Sequence, residues 1–186
     1  GEKTFFVYLL GGDKHMGKLD TENSFIKFSL SKKIENIAGE YLKLKPVFNS
    51  FYLMSTIVVP LDSEAYLSQR WHRDPEDKKL VKVFVYLNDV DEGTGPFTYV
   101  VGSQYGEKWR NIFPQRPPAG SYPSKGEVEK IIPQENIKIC TASAGTIIFC
   151  DTSGLHKGGF STERLRLMSM SCYVSVASKY PKNYTL

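Results

Sequence analysis

Cysteine and histidine are both scarce in this chain, with three of each in 186 residues. Cys140, Cys150 and Cys172 form no Cys-x-x-Cys pair and their number is odd. That excludes a disulfide framework and predicts buried thiols in a reducing compartment, the cytoplasm. No apolar run approaches the roughly 20 residues that a membrane-spanning helix needs. The N-terminal run 5–10 is too short for a signal peptide and leads into Gly11-Gly12-Asp13, so it reads as a strand. Charge of one sign never accumulates. The formal net charge is +4 and the lysines are scattered, with no basic stripe of interleaved aromatics, so no nucleic-acid partner is expected. The mild positive balance leaves a small-molecule partner, with a slight bias towards anionic ones.

What is present suits one soluble domain spanning 1–186. A 41% hydrophobic and 24% charged composition is ordinary for a globular protein with a real core, and the 13% aromatic content favours β structure. Residues 1–30 read as strand-like runs between turns. Ser31 is placed to cap a helix in which Ile34, Ile37, Ala38, Tyr41 and Leu42 recur at helical spacing, ended by Pro46. Gly39 interrupts that helix at a cost of about 1 kcal/mol relative to alanine. Beyond residue 48, short strands dominate, at 50–59, 81–87, 97–101, 145–149 and 166–176, which predicts a barrel or sandwich.

Two of the three histidines fall in a pattern. His72-Arg73-Asp74 is followed far downstream by His156. Two imidazoles and one carboxylate form the ligand set that holds non-heme Fe(II) and leaves coordination positions open. The run 65–72 reads as strand, on which residues i and i+2 share a face, so His72 and Asp74 point one way and Arg73 the other. Asp74-Pro75-Glu76-Asp77 reads as the turn that follows. His156 follows a second strand-like run and the bend Thr152-Ser153-Gly154-Leu155. His15 sits in a polar stretch with no evident partner.

The context of this pattern resembles a known family. Trp71-His72-Arg73-Asp74-Pro75, then 82–92, then Gly95-Pro96-Phe97-Thr98-Tyr99 within 95–104, then Gly145-Thr146-Ile147-Ile148-Phe149-Cys150-Asp151 running into Leu155-His156-Lys157-Gly158-Gly159, are similar to the phytanoyl-CoA dioxygenase family. The resemblance runs from about Tyr52 to Tyr173. It implies a mainly β fold with a few flanking helices, a cupin-like double-stranded β-helix or jelly roll. Residues 1–48 would form N-terminal strands and a helix, and 49–176 the jelly-roll core. It implies a dioxygenase that uses Fe(II), 2-oxoglutarate and O2, releases succinate and CO2, and binds iron through His72, Asp74 and His156.

The same resemblance implies an arginine that anchors 2-oxoglutarate. Arg164 and Arg166 stand eight and ten positions past His156, and the family spacing favours Arg166. A guanidinium suits the task because its planar fork pairs with a carboxylate. Some members add a lysine before the first histidine. None stands close by here, and Gln69, Thr98 or Tyr99 are the polar substitutes. Because Asp74 is present where related halogenases carry a small residue, hydroxylation, desaturation or ring closure is favoured over halogenation.

The segment 106–136 carries five prolines among Trp109, Phe113, Tyr122, Arg110, Arg116 and Lys125. It reads as a long irregular loop at the barrel mouth that serves as a substrate lid. The chain is short for the family, which fits either a compact version or a piece of a longer polypeptide. Two other readings stay open, a jelly-roll metalloenzyme that does not use 2-oxoglutarate and a non-catalytic binding member.

Overall fold

In the computed structural model, residues 6–11, 17–115 and 122–185 are described. His15 lies outside them. Helix formation starts earlier than the sequence suggested. Asn23 caps a short helix α1 (Ser24–Ser29), its side-chain oxygen accepting the N–H groups of Phe25 and Ile26, as an N-cap asparagine does. The strands and turns expected for 1–30 therefore give way to one strand, β1 (Phe6–Leu10), and this helix.

Helix α2 (Lys32–Leu42) follows with Ser31 at its N-cap position, although the Ser31 hydroxyl makes no capping bond. Ile34, Ala38 and Leu42 are its buried stripe. The helix ends with Lys43 in a left-handed conformation, φ 60°. Gly39 has a packing reason. A Cβ there would meet the Leu44 carbonyl oxygen at 3.2 Å and Pro46 Cδ at 3.3 Å, because the chain folds back tightly over the helix end.

The remaining strands are β2 (Val47–Thr56), β3 (Val81–Tyr86), β4 (Phe97–Val100), β5 (Ile137–Cys140), β6 (Ile147–Cys150), β7 (His156–Lys157) and β8 (Leu167–Val174), with one further short helix, α3 (Glu127–Ile131). They form two antiparallel sheets, a five-stranded one in the order β1-β2-β8-β3-β6 and a three-stranded one in the order β5-β4-β7. This is a mainly β jelly roll with few helices, as expected.

Period-two alternation assigns the faces of the larger sheet. Val81 and Val83 of β3 join Phe48, Phe51 and Tyr173 in a core under α1 and α2 with Ile26, Ile34 and Ala38. Phe84 and Tyr86 turn inward, where they pack with Phe97 of the opposite sheet and Met168. The Phe84 and Phe97 rings lie 4.8 Å apart and join the two layers.

Two local expectations need correction. The run 65–72 is not a strand. A short helical turn, Leu67–Gln69, occupies it, closed by Gln69 Oε1, which accepts the Tyr66 N–H at 3.1 Å. A glutamine bonding back to the start of a turn satisfies a main-chain donor that a strand ladder would otherwise take. The described part of 106–136, which leaves out 116–121 and with them Arg116, is also less irregular than expected. It contains α3 and a short turn, Gln134–Asn136. Its Trp109, Phe113, Val128 and Ile132 pack with Trp71, Val100 and Leu155 in a third cluster.

Candidate metal centre

His72 and Asp74 lie on extended chain that pairs with the segment leading into β7. His72 exchanges both main-chain hydrogen bonds with His156, at 2.9 and 3.0 Å, and the Asp74 N–H donates to the Thr152 carbonyl at 2.9 Å. The i, i+2 spacing thus puts both side chains on one face without a long strand. Arg73 turns to the other face and is buried. Its guanidinium donates to the carbonyls of Ser103, Trp109, Ile112, Phe113 and Ser153, at 2.5 to 3.2 Å.

The bend before His156 is equally fixed. Asp151 Oδ1 accepts the Ser153 N–H at 3.0 Å, and Ser103 Oγ accepts the Leu155 N–H at 2.7 Å. Gly154 is required there, since a Cβ would fall 2.2 Å from the Tyr99 hydroxyl oxygen.

His72, Asp74 and His156 converge, and all three are buried. One ligand atom from each lies within 4.8 Å of the others. His72 Nε2 is 3.6 Å from Asp74 Oδ1, and His156 Nε2 is 3.3 Å from Asp74 Oδ2. Each ring donates its Nδ1–H to a main-chain carbonyl, Arg70 for His72 at 2.8 Å and Gly154 for His156 at 2.9 Å. A carbonyl only accepts, so the proton sits on Nδ1 and the Nε2 lone pairs face the centre. Burial, reinforced by the neighbouring His156, pushes the His72 pKa down to about 3, which keeps that imidazole neutral, as a metal ligand must be.

The triad lines a cavity of about 230 Å³ that also contains Arg166, Gln69, Glu76 and Lys82, with Tyr52, Met54, Phe84, Phe97, Met168 and Met170 among its apolar walls. Arg166 is buried just before β8. Its main-chain N–H donates to Thr56 Oγ1 at 2.6 Å, but its Nε and Nη1 have no hydrogen-bond partner. Arg164 is exposed, pairs with Asp91 and does not line the cavity. Gln69 does line it, though its carbonyl oxygen is taken by Tyr66. Thr98 lines a separate hollow with Trp71 and Glu129. The Tyr99 hydroxyl lies 3.0 Å from both Gln104 Oε1 and the Asp151 carbonyl.

Sequence reasoning missed Lys82 and Glu76. Lys82 is buried on β3 with Nζ 2.7 Å from Asp74 Oδ2 and 2.8 Å from Glu76 Oε1. Burial works to raise the Asp74 carboxyl, but Lys82 and the two imidazoles outweigh it and hold it well below the usual range. Burial and the adjacent Asp74 raise the Glu76 carboxyl against the pull of Lys82. Burial works to lower the Lys82 ammonium, and its two carboxylates overcome it and raise it. The signal was available in one place, a charged residue inside Val81-Lys82-Val83-Phe84-Val85-Tyr86.

No protein-family model matches the chain, and no curated protein matches it. Solved structures do. The epimerase SnoN, crystallised with Fe3+, alpha ketoglutarate and nogalamycin RO, is 18% identical over 96% of this chain and 66% of its own, with a TM-score of 0.61. EctD from S. alaskensis with bound Fe is 13% identical over 98% and 61%, with a TM-score of 0.62. AviO1 from Streptomyces viridochromogenes is 15% identical over 97% and 72%, with a TM-score of 0.56. At these identities the likeness establishes the fold. The chain spans 61 to 72% of the length of these three structures. Among the described residues no helix is long and apolar enough to cross a membrane.

Proposed function

We propose that this chain is a non-heme Fe(II)- and 2-oxoglutarate-dependent dioxygenase of the phytanoyl-CoA dioxygenase kind, acting on a small molecule. The observation that carries this reading is the pairing, in one cavity, of a buried His-Asp-His triad with a buried arginine that has two unpartnered guanidinium nitrogens. The donor set fits a divalent iron with open positions, and the unpartnered Nε and Nη1 of Arg166 leave donors for a carboxylate. The neighbours' bound Fe and alpha ketoglutarate support the same reading.

His72, Asp74 and His156 would hold the iron. Arg166 would pair with the distal carboxylate of 2-oxoglutarate. With O2, these groups supply the oxidising power for hydrogen abstraction from carbon, ending in succinate and CO2. The residues bind, orient and exclude water. Phe84, Met168 and Met170 give the cavity dry walls. The proton on each Nδ1 is held by its carbonyl, which keeps Nε2 a lone-pair donor. Because Asp74 is present, hydroxylation, desaturation or ring closure is favoured over halogenation, with hydroxylation the leading outcome. We extend the reading to one domain over 1–186 and to a lid role for 106–136. The Tyr122 ring, stacked 5.8 Å from the His72 ring at 18°, supports the lid role.

The test is an anaerobic titration of the metal-free protein with Fe(II) and then 2-oxoglutarate, followed by the weak visible charge-transfer band of the chelate. A band that is lost in Asp74→Ala and Arg166→Ala sustains the reading. Fe(II) binding without a band points to a metalloenzyme that does not use 2-oxoglutarate. Binding of neither points to a scaffold.

A further inference from the structure

The buried carboxylate of Glu76 has no role in the assignment above. It lines the same cavity as the triad, yet it does not belong to the group of metal-ligating atoms found among the described residues. Lys82 occupies Oε1 at 2.8 Å, while Oε2 is buried and has no hydrogen-bond partner. A buried carboxylate oxygen left without a donor is costly unless something completes it. Lys82 already has Asp74 as a counter-ion, so neutralising the lysine does not explain a second carboxylate.

Position separates Glu76 from the Arg166 end of the cavity. Lys82 pairs in register with Cys172, whereas Arg166 precedes Leu167. The six residue steps from Arg166 to Cys172 correspond to about 20 Å of extended main chain. An ionised carboxylate is acceptor-only. It repels the carboxylates of 2-oxoglutarate and takes a donor.

We propose that Glu76 is a substrate-anchoring residue that receives a hydrogen-bond donor of the substrate, a hydroxyl or an ammonium, with Lys82 holding the carboxylate in place. This deepens and rests on the function proposed above. Of the two donors the surroundings favour the hydroxyl, because Lys82 Nζ already sits 2.8 Å from Glu76 Oε1 and the cavity wall includes Tyr52, Phe84, Met168 and Met170, which suit a neutral donor better than a second ammonium. The substrate class that fits is a neutral hydroxylated molecule with an apolar body, matched to Tyr52, Phe84 and Met170 in the cavity wall.

The test uses matched probes, cyclohexanol, cyclohexylammonium and cyclohexanecarboxylate, by saturation-transfer NMR. It is run on the metal-free protein and on protein loaded with Zn(II) and 2-oxoglutarate. Zn(II) affinity is measured separately by equilibrium dialysis. The expected result is that a donor probe binds and the carboxylate does not, and that Glu76→Gln weakens the donor probe about tenfold while Zn(II) still binds. A preference for the alcohol marks a hydroxylated substrate, and a preference for the ammonium marks an amine. Equal binding of all three probes, no binding of either donor, or an E76Q protein that loses Zn(II) with probe selectivity intact overturns the proposal. If E76Q does not fold, Glu76→Asp keeps the charge beside Lys82 but shortens its reach, and it should show the same loss of the donor probe. Failure of Zn(II) and 2-oxoglutarate to bind, with probe selectivity kept in the metal-free protein, would count against the dioxygenase reading alone.

Discussion

Lys82 Nζ lies 2.7 Å from Asp74 Oδ2, so the carboxylate offered to a metal already shares its charge with a buried lysine. Removing the lysine should leave Asp74 and Glu76 as uncompensated buried carboxylates. Lys82→Met is expected to destabilise the metal-free protein by roughly 3–5 kcal/mol, and a divalent metal should recover part of that loss. Urea unfolding with and without Zn(II) measures both quantities. Equal losses with and without metal would remove Lys82 from the site's electrostatics.

The two arginines near β8 should behave oppositely. Arg166→Ala is expected to lower 2-oxoglutarate affinity by about a hundredfold, because its guanidinium is buried with Nε and Nη1 unpartnered. Arg164→Ala breaks only an exposed pair with Asp91, which contributes less than ~1 kcal/mol, and should leave that affinity unchanged. Calorimetric titration of 2-oxoglutarate into Zn(II)-loaded protein distinguishes the two variants.

Acid should destabilise the metal-free protein through His72. Its folded pKa, about 3, lies below the ordinary 6.5, so between those values the unfolded chain binds the proton and the folded one does not. Stability from this group is therefore intact above about pH 6.5 and falls as pH drops towards 3, by about 1.4 kcal/mol per pH unit. His72→Gln should flatten that slope. An unchanged slope in thermal or urea melts across pH 4 to 6.5 would show that His72 is protonated in the fold.

Arg73 should matter to the loops more than to the metal. It donates to carbonyls on three stretches of chain, at Ser103, at 109–113 and at Ser153. Arg73→Met leaves those acceptors buried and unpaired, which should cost about 3 kcal/mol or more. It should also speed amide hydrogen exchange in 103–113 well beyond that in β3. Uniform protection across both regions would argue against the clamp.

The triad was legible in the sequence because its two nearby ligands obey a local rule, alternate residues of extended chain facing one side. That rule survived even though the run before His72 became a helical turn, closed by a bond from Gln69 that hydrophobic patterning does not reveal. The family spacing favoured Arg166 over Arg164, but spacing gives no physical reason for the difference. What separates them is tertiary. The Gly93 carbonyl accepts the N–H groups of Thr162 and Glu163 and holds the preceding turn at the surface, while Thr56 draws the main chain of Arg166 inward. Lys82 and Glu76 meet only through β3 and the turn after Asp74, a contact that neither segment announces alone. Helix α1 was lost among apolar residues, although Asn23 had signalled its start.

Each histidine of the centre closes a hydrogen bond onto the carbonyl two residues before it, Arg70 for His72 and Gly154 for His156. The hydrogen bond that sets each ring's tautomer is thus written into a tripeptide. Substitutions elsewhere in the barrel can detune the site through Asp74, whose counter-ion comes from another strand, far more readily than through either imidazole. The centre is two self-aligned cassettes and one adjustable carboxylate, and variation that retunes the metal while keeping it bound would be expected to collect around that carboxylate.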